Sequence, residues 1–368
     1  MRSGKSRYLV MVLFLLASLV IPAAPASPVR ADVSWTGHSS NPVFSQGVIA
    51  GAATVIYDED THLYKMWFTR GIANESAIDG LVGELLGLDL GNLIDDIRTM
   101  NWRGIAENDA ANLKTAIDYL AGLSESELDD LASGSGGAIG YATSVDGVDW
   151  EYGGDVLQAT GEAWDEILLG APAVVRNSDG GYEMWYTGAR FDAASFKTLL
   201  TDISLLTADD LQTLLTDIAD KNLPGLISDI RAVRGDDYVL STLIHFAQVV
   251  ADAGISLGYA TSADGIEWTK DASNPVLQGG TGLAWDRYGV AGPAVVRTGD
   301  SYEMWYTGLG LDYASLIGLL DATTISDVDT ALRDGITIAI GRATSPDGVA
   351  WTRYGSAPVF QRADTGSW

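Results

Sequence analysis

The chain has 368 residues, with 42 glycines, 10 prolines, 11 tryptophans, seven phenylalanines, no cysteine and a formal charge of −27. A composition 47% hydrophobic and 19% charged can bury a core, which excludes wholesale disorder. Lack of cysteine excludes a disulfide scaffold, a thiolate zinc site and a cysteine nucleophile, and the acidity excludes a general affinity for nucleic acid or anionic lipid. Three histidines (His38, His62 and His245) are too few for a histidine-rich metal site.

The first element is a processing signal over residues 1–31. Arg2, Lys5 and Arg7 precede an apolar run from Tyr8 to Ile21, followed by small residues suited to cleavage after Ala26 or Ala31. That run falls short of the about 20 residues a spanning helix needs, and nothing later is longer and equally apolar. The expected product is an exported protein (secreted, periplasmic or at the cell surface) with no membrane span once the signal is removed. The mature chain then carries −31, since residues 1–31 hold four bases and no acids.

Next comes a repeat. Leu63-Tyr-Lys-Met-Trp-Phe-Thr-Arg-Gly71, Gly181-Tyr-Glu-Met-Trp-Tyr-Thr-Gly188 and Ser301-Tyr-Glu-Met-Trp-Tyr-Thr-Gly308 match one another. Each is followed by a second set, represented by Ile139-Gly-Tyr-Ala-Thr-Ser-Val-Asp-Gly-Val-Asp-Trp150 and recurring at 257–268 and 340–351. A third set precedes the second and third copies: Ala163-Trp-Asp165 running to Ala171-Pro-Ala-Val-Val-Arg176, and Ala284-Trp-Asp286 running to Gly292-Pro-Ala-Val-Val-Arg297. The first copy has Gly51-Ala-Ala-Thr-Val-Ile-Tyr57 there, without the Trp-Asp pair. Ten tryptophans sit at repeated positions, and Trp102 does not.

Each unit reads as four antiparallel strands: an apolar inner strand buried on both faces, an aromatic second strand, a third, and a fourth reached through an Asp-Gly turn at 146–147, 264–265 or 347–348. Such units, repeated with aromatic signatures, predict a mainly β fold, a β-propeller of four-stranded blades over residues 32–368. The units run about 45–152, 156–270 and 276–353, followed by a partial unit ending at Trp368. Val33-Ser-Trp to Asn-Pro-Val-Phe44 matches Glu267-Trp-Thr to Asn-Pro-Val-Leu277, so it is expected to be an outer strand closing the ring. Three units fall short of the roughly four to eight blades of propellers. The expectation is a fragment with further blades encoded beyond residue 368; closure by a partner chain is the alternative.

Residues 72–135, 191–253 and 311–335 interrupt the units between second and third strands. They hold 28 acids and 8 bases, a charge of −20. Phe196, Leu199, Leu200 and Ile203 have helical spacing, as do Leu211, Leu214, Leu215 and Ile218. Ser124-Glu-Ser-Glu127 and Thr207-Ala-Asp-Asp210 open helices. Leaving equivalent loops, the inserts are expected on one face, packed together as a helical cap open to a protein partner.

Together, Tyr-x-Met-Trp-Tyr-Thr-Gly, Gly-Tyr-Ala-Thr-Ser-x-Asp-Gly-x-x-Trp and Trp-Asp to Pro-Ala-Val-Val resemble blades of the five-bladed propeller superfamily of arabinanases, levansucrases and invertases, glycoside hydrolase families 43 and 32 and their relatives. The resemblance covers roughly half the chain. It implies a carbohydrate ligand, an oligo- or polysaccharide, and glycoside chemistry by carboxylates at the starts of the inner strands. The positions before the inner-strand proline are Ala171 and Gly292, with Ala52-Ala53 in the first unit, and none of these ionises. The family's catalytic set therefore does not carry over. A non-catalytic surface propeller binding glycan or protein is the other reading.

Asp165 and Asp286 are the best remaining candidates for catalysis. Their neighbours Trp164 and Trp285 suit stacking on a sugar. A brace between blades, with the aspartate taking backbone N–H groups, is the favoured reading, because a catalytic residue is needed once and the pair recurs. Glu183 and Glu303 recur too and read as scaffold. Arg70, Arg190 and Arg342 break the repeat, and each suits either a sugar acid or an ordinary ion pair. Ser-x-Asp-Gly-x-x-Trp resembles the sialidase Asp-box and reads as a turn staple. No cofactor is expected; Asp58-Glu59-Asp60 is either a solvated turn or a structural calcium site.

Overall fold

In the computed structural model the described residues are 38–39, 41–45, 50–72, 96, 101–133, 136–159, 163–220, 222–321, 324, 327, 330–331 and 334–361. The signal segment, the leading strand from Val33, much of the first insert and Trp368 lie outside them. Three four-stranded antiparallel sheets follow in chain order. The first comprises β1 (Ala50–Asp58), β2 (Leu63–Ile72), β3 (Gly136–Ser144) and β4 (Glu151–Leu157). The second comprises β5 (Leu168–Arg176), β6 (Tyr182–Ala189), β7 (Ser256–Ser262) and β8 (Trp268–Lys270). The third comprises β9 (Gly289–Thr298), β10 (Ser301–Leu311), β11 (Ile336–Ser345) and β12 (Thr352–Arg353).

Alternation on the second strand decides which sheet each side chain meets. Trp67 of β2 faces the second sheet and clusters with Tyr182, Met184 and Tyr186 of β6. Trp185 of β6 faces the third and clusters with Tyr302, Met304 and Tyr306 of β10. Both indoles are fully buried. The inner strand of the second sheet is covered on both sides, as its apolar run predicts. In β1 and β9, by contrast, Val55 and Val296 are each 47% exposed, because among the described residues each strand packs against a neighbouring sheet on one side alone.

The third-to-fourth-strand turns are pinned by their own side chains. Asp146 Oδ1 accepts from the backbone N–H groups of Val148 (2.8 Å) and Asp149 (2.9 Å), and Asp264 and Asp347 repeat this. Those N–H bonds hold all three carboxyls below the usual aspartate range.

Helices occupy the connections after β2, β6 and β10. A π turn at Ile105–Asp109 leads into α1 (Ala110–Gly122), then α2 (Glu125–Ala132). The second connection holds α3 (Ala193–Ser204), α4 (Ala208–Ala219), α5 (Leu223–Arg234) and α6 (Asp236–Asp252). Both expected capping boxes form, Ser124 with Glu127 and Thr207 with Asp210. Leu120 and Leu128 pack on Phe196 and Leu200, while Trp102 packs in a cluster with Ile105 and Leu215. Helices of the first and second connections thus share a core, and α5 and α6 touch the turn at Ile317–Asp321 of the third. Leu168 pairs with Ala189 and Gly289 with Leu309, so the helices leave at the end where β5 and β9 begin.

Candidate functional site

The inner strands β1, β5 and β9 lie side by side and line a cavity of about 430 Å³. Its walls are Ala52, Ala53 and Thr54, then Ala171 to Val174, then Gly292 to Val295. The same local geometry recurs three times. A bulge interrupts the pairing at Gly51/Thr54 and Gly170/Ala173, and between Trp305 and Thr307 opposite β9. At the bulge the backbone turns left-handed, with φ of 45° at Ala52, 46° at Ala171 and 57° at Gly292. An L-residue pays strain there that glycine does not. Each sheet then ties to the one before it: Ala171 N–H donates to Thr69 Oγ1 (2.7 Å) and Gly292 N–H to Thr187 Oγ1 (2.9 Å). The Thr54 hydroxyl donates to the Pro172 carbonyl. Among the described residues, none that lines it carries an ionisable side chain.

The Trp-Asp pairs lie just before the inner strands and are engaged elsewhere. Asp165 is 3% exposed and takes the Lys270 ammonium at 2.5 Å; Asp286 is 1% exposed and takes Arg353 Nε at 2.9 Å and the Tyr306 hydroxyl at 3.0 Å. Lys270 and Arg353 come from fourth strands, so each aspartate ties the entry loop of its sheet to the outer edge of that same sheet. Trp164 stacks on Tyr186 and Trp285 on Tyr306, with ring centroids 5.8 and 6.1 Å apart. Gly188 and Gly308 make room for these indoles: a Cβ there would come within 2.2 and 2.4 Å of the ring. Burial pushes the Tyr306 phenol up to about 12, helped by Asp286, and raises Tyr186 further.

Arg70 stands where those glycines stand, in the unit without a Trp-Asp pair. It binds Asp155 Oδ2 at 2.7 Å, and Asp155 also accepts from the Tyr152 hydroxyl at 2.8 Å. The first sheet thus keeps an ion pair but reverses its supply: the cation comes from the second strand and the carboxylate from the fourth. Losing the tryptophan and gaining the arginine are two parts of one exchange, visible in the sequence once both are read together.

Arg190 leads into α3; its Nε donates to the Asp252 carbonyl at 2.6 Å, closing the neck of that connection. Arg342 pairs with Glu303 at 2.7 Å and lies 5.0 Å from the Tyr354 ring and 6.0 Å from the Trp305 ring. The structure therefore places none of the five sequence-picked binding residues, and neither aspartate, on the wall of the inner-strand cavity. At Asp58-Glu59-Asp60, Asp58 is 3% exposed, bound by Lys65 at 2.7 Å and by the Tyr182 hydroxyl at 3.0 Å, while Asp60 pairs with Arg176. Among the described residues no cluster of three metal-ligating side chains occurs, and no helix is long and apolar enough to cross a membrane.

No protein-family model and no curated protein matches the chain. Solved structures do. BT0996, in its RGII complex, is similar at 13% identity and TM-score 0.40, over 84% of this sequence and 58% of that one. Zg3597, a family 117 glycoside hydrolase from the marine bacterium Zobellia galactanivorans, is similar at 13% identity and TM-score 0.34, over 62% of this sequence and 44% of that one. Fructan 1-exohydrolase IIa from Cichorium intybus is similar at 13% identity and TM-score 0.32, over 60% and 26%. The structural neighbours are propeller glycoside hydrolases. The present protein spans 58% of the first of these and less than half of the other two.

Proposed function

We propose that this is an exported propeller protein that binds an oligo- or polysaccharide in the cavity between β1, β5 and β9, beneath the helical connections. The observation that carries the reading is the cavity wall itself. Small side chains from three successive units leave about 430 Å³ open, within the roughly 300–1,000 Å³ of small-molecule sites. The Ala171 and Gly292 N–H groups and the Thr54 hydroxyl are bonded between sheets, which fixes the shape of this uncharged wall. Sugar as the ligand rests on the sequence resemblance of the repeated strands.

Binding is favoured over turnover by the chemistry of the lining. Glycoside hydrolysis uses two carboxylates across the scissile bond, and the described wall offers alanine, glycine, proline, valine and threonine. Asp165 and Asp286 are buried in ion pairs with Lys270 and Arg353, where a free general acid or nucleophile is not presented to solvent. The test is calorimetry with arabino- and fructo-oligosaccharides and a broad glycan array, run beside a reducing-sugar assay. Saturable binding without sugar release, lost in Ala294→Phe with circular dichroism unchanged, is expected. Sugar release abolished by Asp286→Asn would make the protein an enzyme, and no binding to any glycan would sink the carbohydrate reading.

A further inference from the structure

The helices of the second connection carry a further concavity, which shares no residue with the inner-strand cavity. Asp210, Thr213, Leu214 and Asp217 lie at i, i+3, i+4 and i+7 of α4, one face of that helix. Asp229, Ile230 and Val233 of α5 complete a groove of about 240 Å³. Its floor is apolar: Leu206 and Leu214 are 6% and 8% exposed and cluster with Ile230, while Val233 at the edge is 49% exposed. The volume is below the roughly 300–1,000 Å³ of small-molecule sites and suits a single apolar side chain.

Charge around the groove is balanced except at one place. Arg234 lies 4.0 Å from Asp210, Arg231 Nε binds Asp236 at 2.6 Å, and Arg103 binds Asp220. Asp217 and Asp229 stand together instead, one from each helix, and neither forms an ion pair among the described residues. Asp217 Oδ1 accepts from Asn222 Nδ2 at 2.8 Å, but Oδ2 is buried with no hydrogen-bond partner. Burial and the Asp229 carboxylate raise the Asp217 carboxyl above its usual range, against the bond from Asn222. A cation brought to this pair relieves the repulsion and uses the idle oxygen.

We propose that the groove between α4 and α5 docks a basic amphipathic helix of a partner protein, one apolar side chain resting on Leu206, Leu214 and Ile230 and a lysine or arginine one turn away bridging Asp217 and Asp229. Charge selects the partner: the helical connections carry −20, so they repel acidic segments and attract basic ones. Spacing selects its form. Leu214 and Asp217 are about one helical turn apart, and a helix laid in a groove presents its anchors at that interval.

The test is fluorescence anisotropy with the full-length protein and a fluorescent helical peptide about twelve residues long, alanine with leucine and lysine one turn apart. Saturable binding is expected, weakened about tenfold or more in Asp217→Asn/Asp229→Asn and when serine replaces the peptide's leucine. Asp179→Asn/Asp300→Asn removes the same charge from turns between strands and should bind within about twofold of the parent protein. Relief of the repulsion should leave Asp217→Asn/Asp229→Asn at least as resistant to urea as the parent, which separates lost binding from lost folding. Equal weakening in the two double variants would reduce the effect to the general field of an acidic protein and overturn the proposal. Absence of saturable binding, or undiminished binding of a peptide with glutamate in place of lysine, would overturn it too. Hexylammonium chloride binding as tightly as the peptide would assign the groove to a free amine rather than a polypeptide.

Discussion

The junction between the first and second sheets and the junction between the second and third are built on the same indole bond and opposite charges. Trp67 Nε1 donates to the Gly265 carbonyl and Trp185 Nε1 to the Gly348 carbonyl, each at 2.7 Å. At the first, Lys65 reaches Asp58 at 2.7 Å and the Tyr182 hydroxyl at 3.0 Å, with Arg176 Nη1 3.7 Å from Asp58 on the other side. At the second, the equivalent position is Glu183, which is 7% exposed and takes hydroxyl bonds from Tyr259 at 2.7 Å and Tyr302 at 2.9 Å. One sheet buries an ammonium beside a carboxylate; the next buries a carboxylate among phenols. What the repeat holds fixed is the apolar knob and the carbonyl it binds. The charged position tolerates either sign so long as the neighbouring sheet supplies partners, because an unpaired buried charge is what costs most.

The largest expected effect comes from removing what the junctions share. Trp67→Ala and Trp185→Ala each delete a fully buried indole and its hydrogen bond, and each should cost about 3–5 kcal/mol in urea unfolding. Similar losses at the two sites are the expected result. A loss at one site less than half that at the other would mean that the junctions are not energetic equivalents.

Changing the charged position should separate them. Lys65→Met leaves Asp58 buried with Tyr182 and the more distant Arg176, and should cost about 3 kcal/mol. Glu183→Gln keeps an acceptor for both phenols and should cost about 1 kcal/mol. Equal costs in chemical denaturation would show that the sign of the buried charge does not matter to how each junction is held.

The same difference should appear in the response to acid. The bond from Lys65 holds the Asp58 carboxyl well below its usual 3.8, against burial and with help from Tyr182. A depressed carboxyl contributes stability above 3.8 that is lost as pH falls through its folded value. Burial pulls Lys65 down, but its bonds to Asp58 and Tyr182 outweigh that and leave it raised, so its contribution holds through 10.5 and fails above. At the second junction, burial and then Glu183 push the Tyr302 phenol up to about 12 and raise Tyr259 further. A raised phenol contributes below its usual 10 and loses that contribution as pH rises towards its folded value. Hydrogen exchange resolved by peptide should therefore open the first junction before the second on acidification, whereas both should loosen above about pH 10, since burial also raises the Tyr141 and Tyr186 phenols packed at the first. Simultaneous opening on acidification would break the contrast.

The repeated strands, the Asp-Gly turns and helices α3 and α4 were legible in the sequence because period and turn chemistry are local. The cavity was not, since it needs three inner strands more than a hundred residues apart to converge, and its walls are residues with little side-chain chemistry. Asp165 and Asp286 looked available because nothing local reveals that Lys270 and Arg353, from strands far along the sequence, neutralise them. Arg70 breaks the repeat, and the missing Trp-Asp pair breaks it in the same unit. The indole fills the space over Gly188 and Gly308, whereas Arg70 carries a side chain there that reaches Asp155.

The smallest effect tests the cavity wall, where the second and third sheets differ by one Cβ. Ala171 and Gly292 share a left-handed bulge and the same bond to a threonine on the preceding sheet. A left-handed backbone costs an L-residue roughly 1–2 kcal/mol, offset by the roughly 0.4–1 kcal/mol that glycine loses in chain entropy. Ala171→Gly should therefore stabilise the fold by about 0.5 kcal/mol, and Gly292→Ala should destabilise it by a similar amount. Sterics do not blur the second substitution, since a Cβ at Gly292 meets only Thr307 Oγ1 at 3.6 Å, an ordinary contact. If Ala171→Gly instead lowers the unfolding midpoint, the methyl group is packing against the wall in a way that outweighs the strain. In that case the alanine helps shape the cavity, and the Ala171→Gly protein should also bind its ligand differently from Gly292→Ala in the same calorimetric titration.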